Sequence, residues 1–303
     1  MLSDYKIRRT LHTIEYLLQH GAAVKLITHQ EPVNNKPLST KPLMAWFTQQ
    51  GYPVFFSPIL SSPVPAKSIM LCENIRFFDG EKSHDASLRA ALARDLQHNT
   101  DYYIFDGWGV AHRSDTSVAD IALLFAPEKR SIGSLVQDEI KHLYPLIAAP
   151  KHPFIALCAG NKEEKLISIE KIHHLDTILL GPELSFSTHA STKITIPSDY
   201  LANNSSIGTQ TTQEWVTLLQ KAKTVLCNGL MGFLETPETL APFNQLLGTI
   251  AARNVYSVIA GGSTTSYVDY KKLTNKFSFC STGGGSTLAY LAQQALPGLE
   301  PFV

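Results

Sequence analysis

The chain has 303 residues, 26 basic and 26 acidic, so its formal net charge is zero. Hydrophobic residues make up 44% and charged ones 17%, which excludes a disordered or fibrous chain. This length is enough for two domains at roughly 150 residues each. The balanced charge implies no broad basic face for nucleic acid, while leaving room for a local cluster. No apolar run reaches the length of a membrane span, and no signal-peptide core follows Met1, so neither nucleic acid nor membrane is expected as a partner.

Ile7, Leu11, Ile14, Leu17 and Leu18 form a helical stripe that ends at Gly21. Residues 22–28 read as a strand, 29–42 as a polar, proline-bearing loop, 42–50 as a helix and 52–56 as a strand. A further strand at 68–72 runs into Glu73-Asn74-Ile75-Arg76-Phe77. Asp85 is placed to cap a helix carrying Leu88, Leu92 and Leu96. Residues 102–105 form a strand, followed by the turn Asp106-Gly107-Trp108-Gly109 and by helices expected at 117–125 and 133–148. Residues 149–153, with two prolines and no apolar period, are the expected linker. Cys72, Cys158, Cys227 and Cys280 lie in or at the end of apolar runs without close metal-ligand spacing. They read as reduced core thiols, which places the protein in the cytoplasm.

The second half shows four strand-to-loop switches. Strands at 154–158, 224–227, 256–259 and 277–281 run into Ala159-Gly160-Asn161-Lys162, Asn228-Gly229-Leu230, Ala260-Gly261-Gly262-Ser263-Thr264 and Gly283-Gly284-Gly285. Helical patterns alternate with them, and this alternation implies an α/β fold with a parallel sheet. Loops after parallel strands emerge at one edge, where ligands bind. Glycines there let backbone approach a phosphate closely, ahead of a helix N-terminus. A lone glycine triplet also suits a plain turn; four such loops favour a nucleotide site. No Walker-type or dinucleotide fingerprint is present.

The first half carries cations at strand and helix ends: Arg8, His29, Arg76, His112 and Arg113. Arginine suits bidentate recognition of carboxylate and phosphate. Taken singly, Arg8 is equally a solvated helix residue and His29 a loop residue.

These motifs together resemble the phosphoglycerate kinase family over nearly the whole chain. Leu71-Cys72-Glu73-Asn74-Ile75-Arg76-Phe77 is similar to LLENVRF, residues 106–113 to DAFGTAHR, residues 222–232 to AKTVVWNGPMG and residues 281–288 to STGGGASL. The resemblance implies two three-layer α/β/α domains with mainly parallel sheets joined by a hinge. Residues 1–150 would bind 3-phosphoglycerate and 151–303 the nucleotide, with the last residues packing back toward the first domain. It implies phosphoryl transfer between 1,3-bisphosphoglycerate and ADP in glycolysis, with Mg2+ carried by ATP or ADP, in a monomer. Arg8, His29, Arg76, His112 and Arg113 would hold the triose, with Arg8 and Lys162 acting in catalysis. Lys162, Asn228, Gly229, Glu235, Gly261, Gly262 and Thr264 would bind the nucleotide, and Gly283, Gly284 and Gly285 would flank the moving phosphate.

Departures from the pattern matter equally. The chain begins at about the family's first helix, so the strand before it and its triose contacts are expected to be absent. An arginine of HLGRP is replaced in His29-Gln30-Glu31-Pro32, the glycine run of GGGMAYTF is mostly gone from residues 181–186, and Leu230 replaces a proline. Ser263 stands where the family's GGGDT motif has its metal-binding Asp, so metal binding is expected to be weakened and the rate low. The alternative reading is a catalytically impaired nucleotide-binding module or partner-binding protein.

Overall fold

The computed structural model describes residues 3–185 and 191–303. Phe186, the last residue of the expected glycine-run segment, lies outside them. Helix α1 (Tyr5–Gln19) opens the chain. Strands β1 (Val24–Leu26), β2 (Val54–Ser57) and β3 (Ile69–Cys72) form a parallel sheet in the order β1-β3-β2, with α2 (Leu43–Gln49) before β2. Paired on both sides, β3 is buried at all four of its apolar residues. Helix α3 (Ala86–Gln97) starts at Asp85, whose carboxylate accepts from the Ser87 amide. Strands β4 (Tyr103–Phe105) and β5 (Arg130–Ile132) pair in parallel and lead into α4 (Ser134–Ala148).

The second half continues with β6 (Phe154–Cys158), α5 (Glu163–Glu170), β7 (Thr177–Leu180), α6 (Pro182–Ser185) and β8 (Ile194–Thr195). It goes on through α7 (Thr209–Lys221), β9 (Thr224–Asn228), α8 (Ala241–Ala251) and β10 (Tyr256–Ala260). It closes with α9 (Gly262–Tyr270), β11 (Phe279–Cys280) and α10 (Gly285–Leu291). The six strands form one sheet in the order β11-β10-β9-β6-β7-β8, every pair parallel. Trp215, Phe243, Leu247 and Leu157 are fully buried in its core. The chain leaves β6 toward β7 on one side and β9 toward β10 on the other. The neighbours β6 and β9 therefore form the point where strand order reverses, and the loops beyond them diverge to open a crevice.

By its internal contacts the chain divides into two units. One is Arg9–Gln137 with Leu296–Val303; the other comprises the described residues up to Arg8 with Asp138–Ala295. In the first unit Phe302 stacks on Tyr103 and Phe105, with centroids 6.4 Å apart in each pair. The division falls within α4, not at 149–153. The carboxy-terminal part of α4 belongs to the six-stranded unit because His142 stacks on Phe279 at 4.5 Å and its carbonyl accepts from the Tyr256 hydroxyl.

Residues 117–125 do not form the expected α-helix but turns and a short 3-10 segment, Ile121–Leu124. Their neighbouring polar groups are bonded elsewhere: the Thr116 hydroxyl donates to the Gly80 carbonyl, and the Ser117 amide and hydroxyl both donate to Glu81. The last helix stops at Leu291, and Gln293 just beyond it takes a left-handed φ of 53°. All four cysteines are buried and free, and burial pushes the thiols of Cys72, Cys158 and Cys227 up to about 12.

Two predictions follow from packing and burial. Glu81 is 2% exposed, and burial raises its carboxyl to about 7, which the Ser117 hydrogen bonds only partly offset. Its native pKa lies above the unfolded value. The unfolded chain therefore releases this proton first, and the group's contribution to stability falls as pH rises from about 4.5 to about 7. Glu81→Gln, whose amide oxygen can still accept from the Ser117 amide while its NH2 donates to the Ser117 hydroxyl, is expected to gain on the wild type by on the order of 2–3 kcal/mol between pH 5 and pH 8; denaturant titration at the two pH values measures it. Gly248 lies in α8 with open space where a Cβ would go, so Gly248→Ala should add about 0.5–1 kcal/mol in the same titration.

Candidate functional site

The crevice at the β6/β9 reversal is a pocket of about 260 Å³. Its floor comes from Gly160 and Asn228-Gly229, its far wall from Gly261, Gly262 and Thr264. The backbones meet closely here. The Ala159 amide donates to the Asn228 carbonyl at 3.0 Å, and a Cβ on Gly229 (φ 119°) would lie 2.1 Å from the Ala159 carbonyl oxygen. No other residue type fits that position. The Thr264 hydroxyl, buried, accepts from the Gly229 amide at 2.9 Å and so fixes the loop after β9 to the first turn of α9.

Asn228 ends β9 with no exposed surface, yet neither atom of its side-chain amide has a hydrogen-bond partner, and it lines the pocket. Leaving a buried amide unpaired costs about 1–3 kcal/mol, so a ligand group that pairs with it is favoured. Lys165 lines the pocket from α5, and its ammonium donates to the Ala159 carbonyl at 2.6 Å. Burial lowers its pKa. The Lys6 ammonium stands 3.3 Å from where a Gly262 Cβ would be.

Of the residues singled out in the sequence, Asn228, Gly229, Gly261, Gly262, Ser263 and Thr264 come together in this wall. Lys162 does not. It is exposed at the start of α5, and it is Lys165, one turn on, that faces the pocket. Glu235 is exposed in the turn between the bridged residues Phe233 and Thr236, and of these only Phe233 lines the pocket. The glycine triplet backs the wall instead of lining it. The Gly283 carbonyl accepts from the Gly261 amide at 2.8 Å, and a Cβ on Gly284 would lie 3.2 Å from the Gly261 Cα. Gly285 is exposed as the first residue of α10. Buried Glu139 holds this loop from α4, accepting from the Ser281 hydroxyl, the Thr282 amide and the Thr282 hydroxyl. Sequence reading passed over Glu139 because a glutamate inside an amphipathic helix gives no sign of such a role.

The other unit gathers a basic group. His29 Nε2, Arg76 Nη2 and Arg113 Nη1 lie 3.5, 3.6 and 3.5 Å from one atom, Glu31 Oε1. Arg76 Nη2 is also 3.5 Å from Asp115 Oδ2. Burial holds the His29 imidazole below its usual range; the charge of Glu31 opposes this and that of Arg113 reinforces it. His112 is exposed and is not part of these ion pairs. Arg8 stands apart. Its guanidinium makes two 2.8 Å bonds to Asp269, at the far end of α9, and one of 2.7 Å to Asp4. Its charge is thereby matched within the six-stranded unit.

A family model described as phosphoglycerate kinase matches residues 1–205 and 186–294. The chain belongs to the phosphoglycerate kinase family. The phosphoglycerate kinase of Legionella pneumophila (strain Lens) is 28% identical over 357 aligned positions, covering 98% of this chain and 89% of that protein. The cytosolic phosphoglycerate kinase of Triticum aestivum is 26% identical, again over 98% of this chain and 89% of that protein. Both alignments are longer than the 303 residues present, so this member carries internal deletions. In fold, the chain is similar to the phosphoglycerate kinase from Pyrococcus horikoshii OT3, with a TM-score of 0.83 at 21% identity over 99% of this chain and 91% of that one. The structure from Coxiella burnetii gives a TM-score of 0.74 at 21% identity, with the same coverage. Membership of the phosphoglycerate kinase family supports a kinase.

Phosphoglycerate kinases generally use a magnesium-bound nucleotide. Among the described residues no group of three His, Cys, Asp or Glu could hold a metal ion. Ser263 offers the pocket a hydroxyl, and Asp269, the next acid in sequence, is engaged by Arg8 and Ser3. Among the described residues, these side chains make no metal site of their own.

Gly229→Ala places a methyl group inside a carbonyl oxygen's radius at a left-handed φ. It is expected to cost at least about 2 kcal/mol in thermal or chemical unfolding.

Proposed function

We propose that this family member is a phosphoglycerate kinase-like phosphotransferase. It moves a phosphoryl group between 1,3-bisphosphoglycerate, or a related acyl phosphate, and ADP, and runs in reverse from ATP and the acid. The glycine-walled pocket takes the nucleotide, and the group of His29, Arg76 and Arg113 takes the acid. The reading rests above all on Asn228, a fully buried amide with no partner that lines a pocket at the strand-order reversal of a parallel sheet.

Transfer between two oxygens needs little covalent help. It needs charge neutralisation, exclusion of water and alignment. Lys165 supplies a cation beside the loop after β6, and backbone amides of the glycine loops can approach phosphate oxygens because no side chains intervene. Arg76 and Arg113 present guanidinium groups suited to a carboxylate or phosphate. Ser263 gives only a hydroxyl where the family resemblance calls for a carboxylate, so magnesium would have to be held by the nucleotide's own phosphates and water, and slow turnover is expected.

A second reading, a nucleotide-binding module without turnover, is favoured by the Arg8–Asp269 pair, which engages a cation assigned to the acid site. Micromolar or weaker ADP binding by calorimetry, with no acyl phosphate formed, would select it.

A coupled assay with 3-phosphoglycerate, ATP and magnesium tests the enzyme. Lys165→Ala should lower turnover by roughly tenfold or more, and Ser263→Asp should raise it by a similar factor. Turnover of the wild type no higher than that of Lys165→Ala would sink the enzyme reading, and no gain from Ser263→Asp would place the rate defect elsewhere.

A further inference from the structure

The basic group of the first unit already contains an anion. Three cationic side chains converge on Glu31 Oε1 at 3.5–3.6 Å. The carboxylate is held there by construction. Buried Asn74 donates through Nδ2 to the carbonyls of Gln30 at 2.9 Å and Leu38 at 2.7 Å, which fixes both ends of the loop that carries Glu31. The same asparagine accepts from the Arg76 amide at 3.1 Å, and the Ile75 amide donates to the Thr28 carbonyl. One buried side chain therefore sets both Glu31 and Arg76.

The seat is filled but not satisfied. Charge-assisted N–H···O bonds close to about 2.7–2.9 Å, whereas these contacts are longer, and the buried Nε and Nη2 of Arg76 make no hydrogen bond. The Glu31 side chain is 57% exposed, so it can leave by a rotamer change.

We infer that Glu31 is a specificity-determining residue, an internal carboxylate that occupies the seat of an anionic substrate group. This rests on the acid-site assignment proposed above. An incoming phosphate must displace Glu31 or sit beside it, and like charges at this distance repel. A doubly charged phosphoryl group is penalised more than a singly charged carboxylate. Within the acid class proposed above, Glu31 thereby weakens the hold on a doubly charged phosphoryl group more than on a singly charged group at that end.

Calorimetry on the full chain tests this with inorganic phosphate and glycerate as probes against wild type, Glu31→Gln and Glu31→Ala. Both substitutions should tighten phosphate binding by roughly tenfold or more and glycerate binding distinctly less. Matched circular dichroism spectra and unfolding midpoints show that the variants are folded. Equal phosphate affinity in all three proteins, no phosphate binding by any, or equal gains for phosphate and glycerate would each overturn the inference. Its failure is separable from that of the proposed reaction. Absence of turnover with an intact affinity ratio removes the reaction alone; turnover with a ratio of one removes the role of Glu31 alone.

Discussion

The close approach of the two loops that leave β6 and β9 governs the six-stranded unit. Ala159 and Gly229 meet backbone to backbone, without room for a methyl group between them. That contact exists because the sheet reverses its strand order there, so the two chains part in opposite directions and leave a crevice. Thr264 ties the loop after β10 to it, and Glu139 steadies the glycine triplet behind. The pocket is built largely of glycine-bearing main chain, held in place by the side chains of Thr264 and Glu139, with Asn228, Lys165 and Glu183 among its polar lining.

The two units handle charge differently. In the six-stranded unit Asp269 is paired with Arg8, and the described pocket lining carries Lys165, the carboxylate of Glu183 and the amide of Asn228. In the other unit His29, Arg76 and Arg113 make no tight ion pair. They surround Glu31 and Asp115 at distances too long for strong hydrogen bonds, which leaves their binding capacity largely unused.

Much of this was legible in the sequence where a residue's type dictates its place. The apolar runs that became β3, β6, β9 and β10, the Asp85 cap and the glycines after the strands all announce themselves by pattern. The α/β class followed from their alternation. Two short strands did not show: β5 and β8, of three and two residues, lack the apolar run that marked the equally short β1, β4 and β11. The helix expected at 117–125 failed because hydroxyls that look neutral in a helical stripe bond to Glu81 and Gly80, partners 36 residues away. At the site, the family resemblance singled out Lys162, but the register of α5 turns Lys165 toward the pocket. Only coordinates show that Arg8 meets Asp269, 261 residues distant in sequence.

The buried cysteines carry a consequence of another kind. A thiol reacts as its thiolate, and with values near 12 the thiolates of Cys72, Cys158 and Cys227 are vanishingly scarce at neutral pH while the fold is closed. Alkylation therefore waits for local opening. Cys72 sits on β3 of one unit and Cys158, Cys227 and Cys280 on strands of the other. Without any engineered label, the molecule carries a separate chemical clock for the opening of each of its two parts.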